Sequence, residues 1–389
     1  MPAAVAAAVA VPADLAALAA AIRDAAARRA ALAVRGSGSW WTDVPPDVEV
    51  VTTTRLDAVS DFNPADLVVT VGAGTPLDRL AATLSARGAW LPFDPPGPVS
   101  RTVGGALASG SGGPLAAHFG PARDHVLGLT MVAGDGTVTR LGGRVVKNVA
   151  GFDLAKLVVG GGGAFGVIAQ AHLRLRARPR ADRSAVWTGT RAWAAEAAAS
   201  ALAAGATPAA LEVAGPALAR ALGWADGDRW ALAARAVGTG AAAIEEIETI
   251  ARAAGRPAAH EAEGDAPWTP WREAVGRWPA VLRLGASPRD WPAAVALAED
   301  HLDRLLGASV TVPRGTVRVG ADAGSARAIQ RLRLEAARRG WPLTVERADA
   351  ATLAATGVWG ALAPTVERLA RALHATFDPA GILAAPLLA

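Results

Sequence analysis

The 389-residue chain contains no cysteine and no tyrosine. Without cysteine there is no disulfide, no thiolate nucleophile, no Cys-ligated zinc and no iron–sulfur cluster held by this polypeptide. An electron-transfer partner that carries a cluster must therefore be a separate chain. Lysine is nearly absent too, since only Lys147 and Lys156 stand against 37 arginines. Asparagine occurs twice, and Asn148 lies in the same window as both lysines, Val145–Ile168, VVKNVAGFDLAKLVVGGGGAFGVI. Composition drift that spared these sites is the bland explanation. The sharper one is that ammonium chemistry, rather than charge alone, is wanted there.

No run is dense in Lys and Arg, and a net charge of +4 is too mild to argue for nucleic acid. No apolar segment is long enough to span a bilayer. The N-terminal MPAAVAAAVAVPADLAALAAAI is apolar, but it lacks a basic start and Asp14 interrupts it. An amphipathic helix from about Pro12 is expected instead, with Asp14 in its first turn and Arg28 and Arg29 in its last. The expected location is cytoplasmic, with any attachment to a membrane peripheral and through partners. With 52% hydrophobic and 19% charged residues the composition is globular, and the length suits two cores.

Along the chain, ALAVR (31–35), Val48–Thr52 and Leu67–Val71 read as strands. Thr75-Pro76 opens a helix to Arg87, with Thr75 as cap and Gly88 as stop. A Pro- and Gly-rich loop from Leu91 to Gly113 holds one short helix, Gly104–Ser109. Val126–Val132 and Thr137–Leu141 flank the hairpin signal Gly134-Asp135-Gly136, and Val167–Leu175 alternates as a strand. Pro179 and the polar run Arg180–Ser184 read as a linker. Beyond it lies a tryptophan-bearing α+β unit with helices at Trp193–Ala204, Ala241–Ala254, Pro292–Leu306 and Ser325–Arg339. A last helix, Pro364–Ala375, leads into Phe377-Asp378-Pro379-Ala380-Gly381-Ile382-Leu383.

Four glycine-rich loops, Gly36–Ser39, Gly72–Gly74, Gly104–Gly113 and Gly160–Gly166, could each bring backbone amides close to an anion. Together they point to a phosphate-bearing cofactor. Gly161-x-Gly163-x-x-Gly166 fits a dinucleotide fingerprint, but VIAQAHLRL after it alternates as a strand where that fold needs a helix. Walker A, G-x-S-x-G and H-E-x-x-H patterns are all missing. Glu299-Asp300-His301-Leu302-Asp303 is the best metal-ligand cluster, and a solvated helix face explains it better.

The ordered set Arg35-Gly36-Ser37-Gly38-Ser39, Leu91-Pro92-Phe93-Asp94-Pro95-Pro96, Thr102-Val103-Gly104-Gly105 and Arg123-Asp124-His125-Val126-Leu127-Gly128 resembles the vanillyl-alcohol-oxidase (PCMH-type) FAD-binding fold. Val146-Lys147-Asn148-Val149-Ala150-Gly151-Phe152-Asp153 and Gly166-Val167-Ile168 extend the likeness to the family of FAD-binding glycolate oxidase subunits. It runs from about residue 12 to 178 and returns at Phe377–Leu383.

The resemblance implies an α+β fold: a PCMH-type FAD-binding domain of two α/β subdomains over 1–180, a smaller α/β cap over 181–362, and a C-terminal helix and tail, 363–389, returning to the first. It implies that Arg35, Gly36, Ser37, Gly38, Ser39 and Trp40 hold the FAD pyrophosphate. Thr102, Val103, Gly104, Gly105 and Ser109 would follow the phosphates and the isoalloxazine edge, and Gly166, Val167 and Ile168 the adenine or ribitol side. Arg123-Asp124 reads either as a flavin contact or as a buried ion pair at the strand end. Ser39 stands where relatives with covalent flavin place a histidine, so FAD is expected to be non-covalent.

No catalytic base stands out. Lys147 is expected to tune the flavin, and Lys156 to be a helix-face charge or a subunit contact. The 185–360 region lacks the histidine-rich metal segments of relatives that oxidise 2-hydroxy acids themselves. The implied function is an FAD-dependent oxidoreductase subunit acting on a small 2-hydroxy acid, oxidising glycolate to glyoxylate with a second flavin subunit and an iron–sulfur subunit. The alternatives are a stand-alone alditol or sugar oxidase and a non-catalytic assembly subunit.

Overall fold

The computed structural model describes residues 9–41, 43–45, 47–143 and 152–384. Its first layer is a three-stranded parallel sheet in which Glu49–Thr52 lies between Val9–Ala10 and Leu32–Arg35. Helix Leu15–Arg28 packs on it, capped by Asp14, whose carboxylate accepts from the Ala17 amide at 2.8 Å. Its buried face, Leu18, Ala19, Ile22 and Ala25, follows the i, i+1, i+4, i+7 spacing of one helix side. The C-terminal tail closes this layer. Asp378, 2% exposed, accepts from the amides of Ile382 (3.1 Å) and Leu383 (2.7 Å), and the Leu32 amide donates to Ile382 O.

The second layer is a five-stranded antiparallel sheet ordered Val59–Asn63, Val68–Gly72, Val167–Arg174, Val126–Val132, Val138–Gly142. Val68–Gly72 is buried along its whole length, which explains why it reads as a continuous β-branched run rather than an alternating one. Val59–Asn63, an exposed edge strand with weak patterning, is not apparent from the sequence.

An eight-stranded antiparallel sheet follows, ordered His260–Glu263, Ala181–Gly189, Trp230–Gly238, Ala210–Ala214, Leu305–Thr311, Thr316–Ala321, Ala280–Gly285, Leu343–Arg347. Period-2 alternation divides its residues between two faces. Leu211, Val213, Leu232, Leu282, Val310 and Val317 pack under the helices Arg191–Ala203, Gly240–Ala254, Trp291–His301 and Ala326–Arg338. Glu212, Arg235, Arg283, Ser309, Arg318 and Glu346 occupy the other face, towards the first two layers. Two indoles there end on hydroxyls: Trp268 Nε1 donates to Ser184 Oγ at 2.8 Å and Trp271 Nε1 to Ser309 Oγ at 2.9 Å.

Three local expectations change. Arg180–Ser184 is no linker, because Ala181–Gly189 pairs along its full length with Trp230–Gly238, and Asp182 binds Arg235 at 2.5 and 2.8 Å. The polar residues that suggested a loop are spent on partners: Asp182 on Arg235, Arg183 on Glu263 and Ser184 on the Trp268 indole. Thr75 does not cap helix Leu77–Ser85; Pro76 occupies the cap position and Thr75 Oγ1 is buried without a partner. The helix expected over Pro292–Leu306 stops at His301, where Leu302 turns extended and the strand Leu305–Thr311 begins.

Candidate functional site

Three chain segments meet at a groove beside the parallel sheet. The first is the loop leaving strand Leu32–Arg35. The second is the start of helix Val103–Ser109, and the third is the glycine turn before strand Val167–Arg174. Arg35, Gly36, Ser37, Gly38, Ser39, Trp40, Thr102, Gly104, Gly105, Gly166 and Ile168 all line it, so most of the expected binding set converges. Backbone bonds tie the pieces together: Val103 N to Thr75 O, Gly104 N to Ala73 O, and Gly162 N to Ala108 O at 2.8 Å.

Two glycines are required by close approach. A Cβ on Gly36 would stand 1.9 Å from Thr102 Oγ1, and one on Gly104 would stand 2.6 Å from the Ala73 Cβ. Gly72 and Gly74 are different. They press on the backbone of Leu56 and Thr53 and do not line the groove, so that loop serves packing and not an anion.

The amides divide unevenly. Thr102 Oγ1 accepts from Gly105 N at 3.3 Å and Ala73 O accepts from Gly104 N, so both helix-start donors are occupied. Among the described residues, the amides of Ser37, Gly38, Ser39 and Gly163 have no protein acceptor. Gly38 (φ 70°) and Gly163 (φ 89°) adopt positive φ, a backbone region that glycine enters without strain. The Trp41 indole Nε1 is also buried without an acceptor, on a side chain that lines the groove. A diphosphate with a flanking carbonyl-rich ring fits these free donors.

Five expected residues, Val103, Ser109, Arg123, Asp124 and Val167, lie elsewhere. Val103 and Val167, each 1% exposed, belong to the cores. Ser109 and Arg123 line an adjoining cleft with Trp41, Arg283, Glu346 and Trp359. Arg123 and Asp124 are not a buried ion pair: their side chains are 62% and 49% exposed and 4.0 Å apart, on a short turn at the surface. Lys147 and Asn148 fall outside the described residues. Lys156 pairs with Asp153 at 3.2 Å on the surface helix Leu154–Val158, which itself is capped by Asp153.

Sequence reasoning missed Arg101. It is 2% exposed and lines the groove, its guanidinium lies 4.4 Å over the Trp40 ring, and it donates to Pro96 O and, at 2.9 Å, to Ser109 Oγ. One arginine among 37 carries no signal of its own.

Behind the groove a polar seam joins the layers. Trp40 Nε1 donates to Glu346 O at 2.9 Å, Arg318 Nη2 to Gly112 O at 2.6 Å, and Gly97 N to Arg272 O at 2.8 Å. The Glu346 carboxylate takes Arg318 at 2.8 Å and Arg283 at 2.9 Å. Burial raises its pKa, but the two guanidinium groups outweigh burial and hold it below the usual carboxylate range. Asp94 and Glu212, buried without such partners, are pushed up to about 6 and about 7, chiefly by burial. Asp94 accepts from the Leu115 amide, and Glu212 from Ser309.

Residues 6–142 match the FAD binding domain family. The chain carries an FAD-binding domain. That domain, with the strand and glycine turn that follow it, supplies the whole groove. Over 127 residues, 32% of this chain, it is 41% identical to glycolate oxidase subunit GlcE of Escherichia coli. Over 130 residues, 33% of the chain, it is 35% identical to D-2-hydroxyglutarate dehydrogenase of Xanthomonas citri. A like stretch, also 33% of the chain, is 30% identical to glycolate oxidase subunit GlcD of Bacillus subtilis.

The matched regions span 36%, 28% and 28% of those proteins, so the likeness covers about a third of each at most. In fold, the likeness extends over 96% of this chain and 75% of an alkyldihydroxyacetonephosphate synthase, with a TM-score of 0.72 at 15% identity. The α+β fold of an FAD-binding protein and FAD as its cofactor follow, and these relatives are named as oxidase subunits and a dehydrogenase of hydroxy acids. Among the described residues no three His, Asp or Glu side chains gather to hold a metal ion. Glu299 and Asp303 instead meet Arg191 and Arg331. No described helix is long and apolar enough to cross a membrane.

Proposed function

We propose that the chain is the FAD-binding subunit of a 2-hydroxy-acid oxidising complex of the glycolate oxidase kind. The observation that carries this is the groove. Its open amides at Ser37, Gly38, Ser39 and Gly163 lie on loops in the order of an FAD-binding domain, and that domain is 41% identical to a glycolate oxidase subunit. Residues 1–180 form the cofactor unit in this reading, 181–362 the cap, and 363–389 the returning tail.

Bound FAD supplies a two-electron acceptor. The chain's contribution is binding and orientation: the 37–39 amides hold the diphosphate, and the glycines at 36 and 104 let the loop and the helix start pack closely on Thr102 and Ala73, which shapes the groove. Among the described residues no histidine lines the groove, and the chain has no cysteine, which supports non-covalent attachment. The adjoining cleft, with Arg123 and Arg283 on its wall, is where a small hydroxy acid would enter. The second flavin subunit and the iron–sulfur subunit would carry the electrons onward.

The test is purification of the chain alone and with its native partners. Flavin absorbance that is released by denaturation is expected, together with glycolate-dependent bleaching that requires the partners. A colourless chain would favour an assembly subunit. Bleaching of the isolated chain by an alditol would favour a stand-alone oxidase.

A further inference from the structure

Among the described residues, two of the three buried arginines have carboxylate partners, and the third is an informative exception. Arg318, 4% exposed, meets Glu346 at 2.8 Å, and Arg235, 5% exposed, meets Asp182 at 2.5 Å. Arg101 is buried more deeply than either, yet among the described residues no carboxylate lies within ion-pair distance of it. Its two hydrogen bonds go to neutral oxygens, the Pro96 carbonyl and the Ser109 hydroxyl. Glu346 acts on it only from a distance and is already shared by Arg318 and Arg283. Its other charged neighbours, Arg272 and Arg347, are cations.

Burial and those two cations push its pKa down to about 9, which still leaves it charged at neutral pH. A buried charge without a counter-ion is among the costliest features a fold can keep. Unlike Arg318, this one lines the groove, so a ligand can reach it. We infer that Arg101 is the electrostatic anchor of the groove, and that its missing countercharge is an anionic group of bound FAD. The inference rests on FAD occupying that groove. Trp40 and Ser109 then act as positioning residues, stacking on the guanidinium and holding one arm of its fork.

Two parts of the cofactor can supply the anion: the diphosphate, and the ring system once reduced. Full-length wild type, Arg101→Gln and Arg101→Lys separate these. Gln removes the charge but keeps an amide donor for Pro96 or Ser109; Lys keeps the charge and loses the fork. If the diphosphate is the partner, Arg101→Gln weakens both FAD and ADP by at least about tenfold, as expected for loss of a buried charge partner. If the reduced ring is the partner, ADP affinity holds and the flavin midpoint potential falls by about 30 mV per tenfold loss. In both cases Arg101→Lys retains most of the wild-type value.

Equal losses in the Gln and Lys variants would mean a structural fork and would overturn the inference. So would folded Arg101→Gln protein with unchanged FAD affinity, ADP affinity and potential. If Arg101→Gln does not fold, the wild-type and Lys proteins still decide: Lys must retain FAD within about threefold, and a larger loss overturns the charge role. A wild-type chain with no affinity for FAD would instead refute the cofactor reading on which the anchor rests.

Discussion

In the groove, polarity comes from the main chain, through amides of Ser37, Gly38, Ser39 and Gly163 that have no protein acceptor among the described residues. In the seam beneath the eight-stranded sheet it comes from side chains, with Glu346 between Arg318 and Arg283, and Asp182 on Arg235. The groove presents unsatisfied donors at a surface, whereas the seam pairs Glu346 with Arg318 and Arg283, and Asp182 with Arg235, internally. A site built from backbone is ready for an anion and tolerates almost any side chain that does not fill it. A site built from paired side chains is closed to ligand and fails when one member is removed. Arg101 belongs by position to the seam and by its lack of a partner to the groove.

Removing a seam charge is expected to have the largest effect. Glu346→Ala leaves Arg318 buried and unpaired, and should lower unfolding free energy by about 3–5 kcal/mol in urea titration. Because the folded pKa of Glu346 lies below its unfolded value, its contribution is present above the unfolded pKa and is lost as pH falls through the folded one. A loss under about 1 kcal/mol would show the pair to be replaceable. Gly36→Ala drives a methyl into Thr102 Oγ1 and should strip flavin from the purified protein, at a stability cost of about 1–3 kcal/mol. Full flavin content would break the claim that close backbone approach makes the groove.

Glu212 sharpens the contrast from the other side. Its folded pKa, about 7, is raised above the unfolded value, so stability is greatest below the unfolded pKa and declines as pH rises towards 7. Glu212→Gln should flatten that decline, worth on the order of 2 kcal/mol, when thermal midpoints are compared between pH 4.5 and 7.5. An unchanged slope would mean the carboxyl ionises freely. The smallest effect is expected at Lys156. Its pair with Asp153 is half-exposed, and Lys156→Ala should change stability by under about 0.5 kcal/mol.

The groove is legible in the sequence because backbone sites need glycine. Gly36, Gly104 and Gly166 stand at strand and helix ends for steric reasons that survive in one dimension, and the alternation of Val167–Arg174 is enough to exclude a dinucleotide fold. The same rule misleads at Gly72 and Gly74, where close approach to Leu56 and Thr53 needs glycine as much as an anion would. The seam is nearly illegible. Asp182, Arg235, Arg318 and Glu346 are spread over 165 positions, and an arginine bound for burial looks like one bound for solvent until its partner is known. For that reason Arg180–Ser184 reads as a linker where packing makes a strand, and the buried pair that is one reading of Arg123–Asp124 lies exposed.

The sequence by itself determined the class of fold, the order of the loops that meet at the groove, and the impossibility of a cluster or thiolate in this chain. Those follow from local rules: periodicity, glycine sterics and the presence or absence of a side-chain type. Tertiary structure alone decided which amides stay free, which charges pair, and that Arg101 stands buried at the groove without a carboxylate. Each of these depends on distances between residues far apart in the chain, set by how the sheets are stacked.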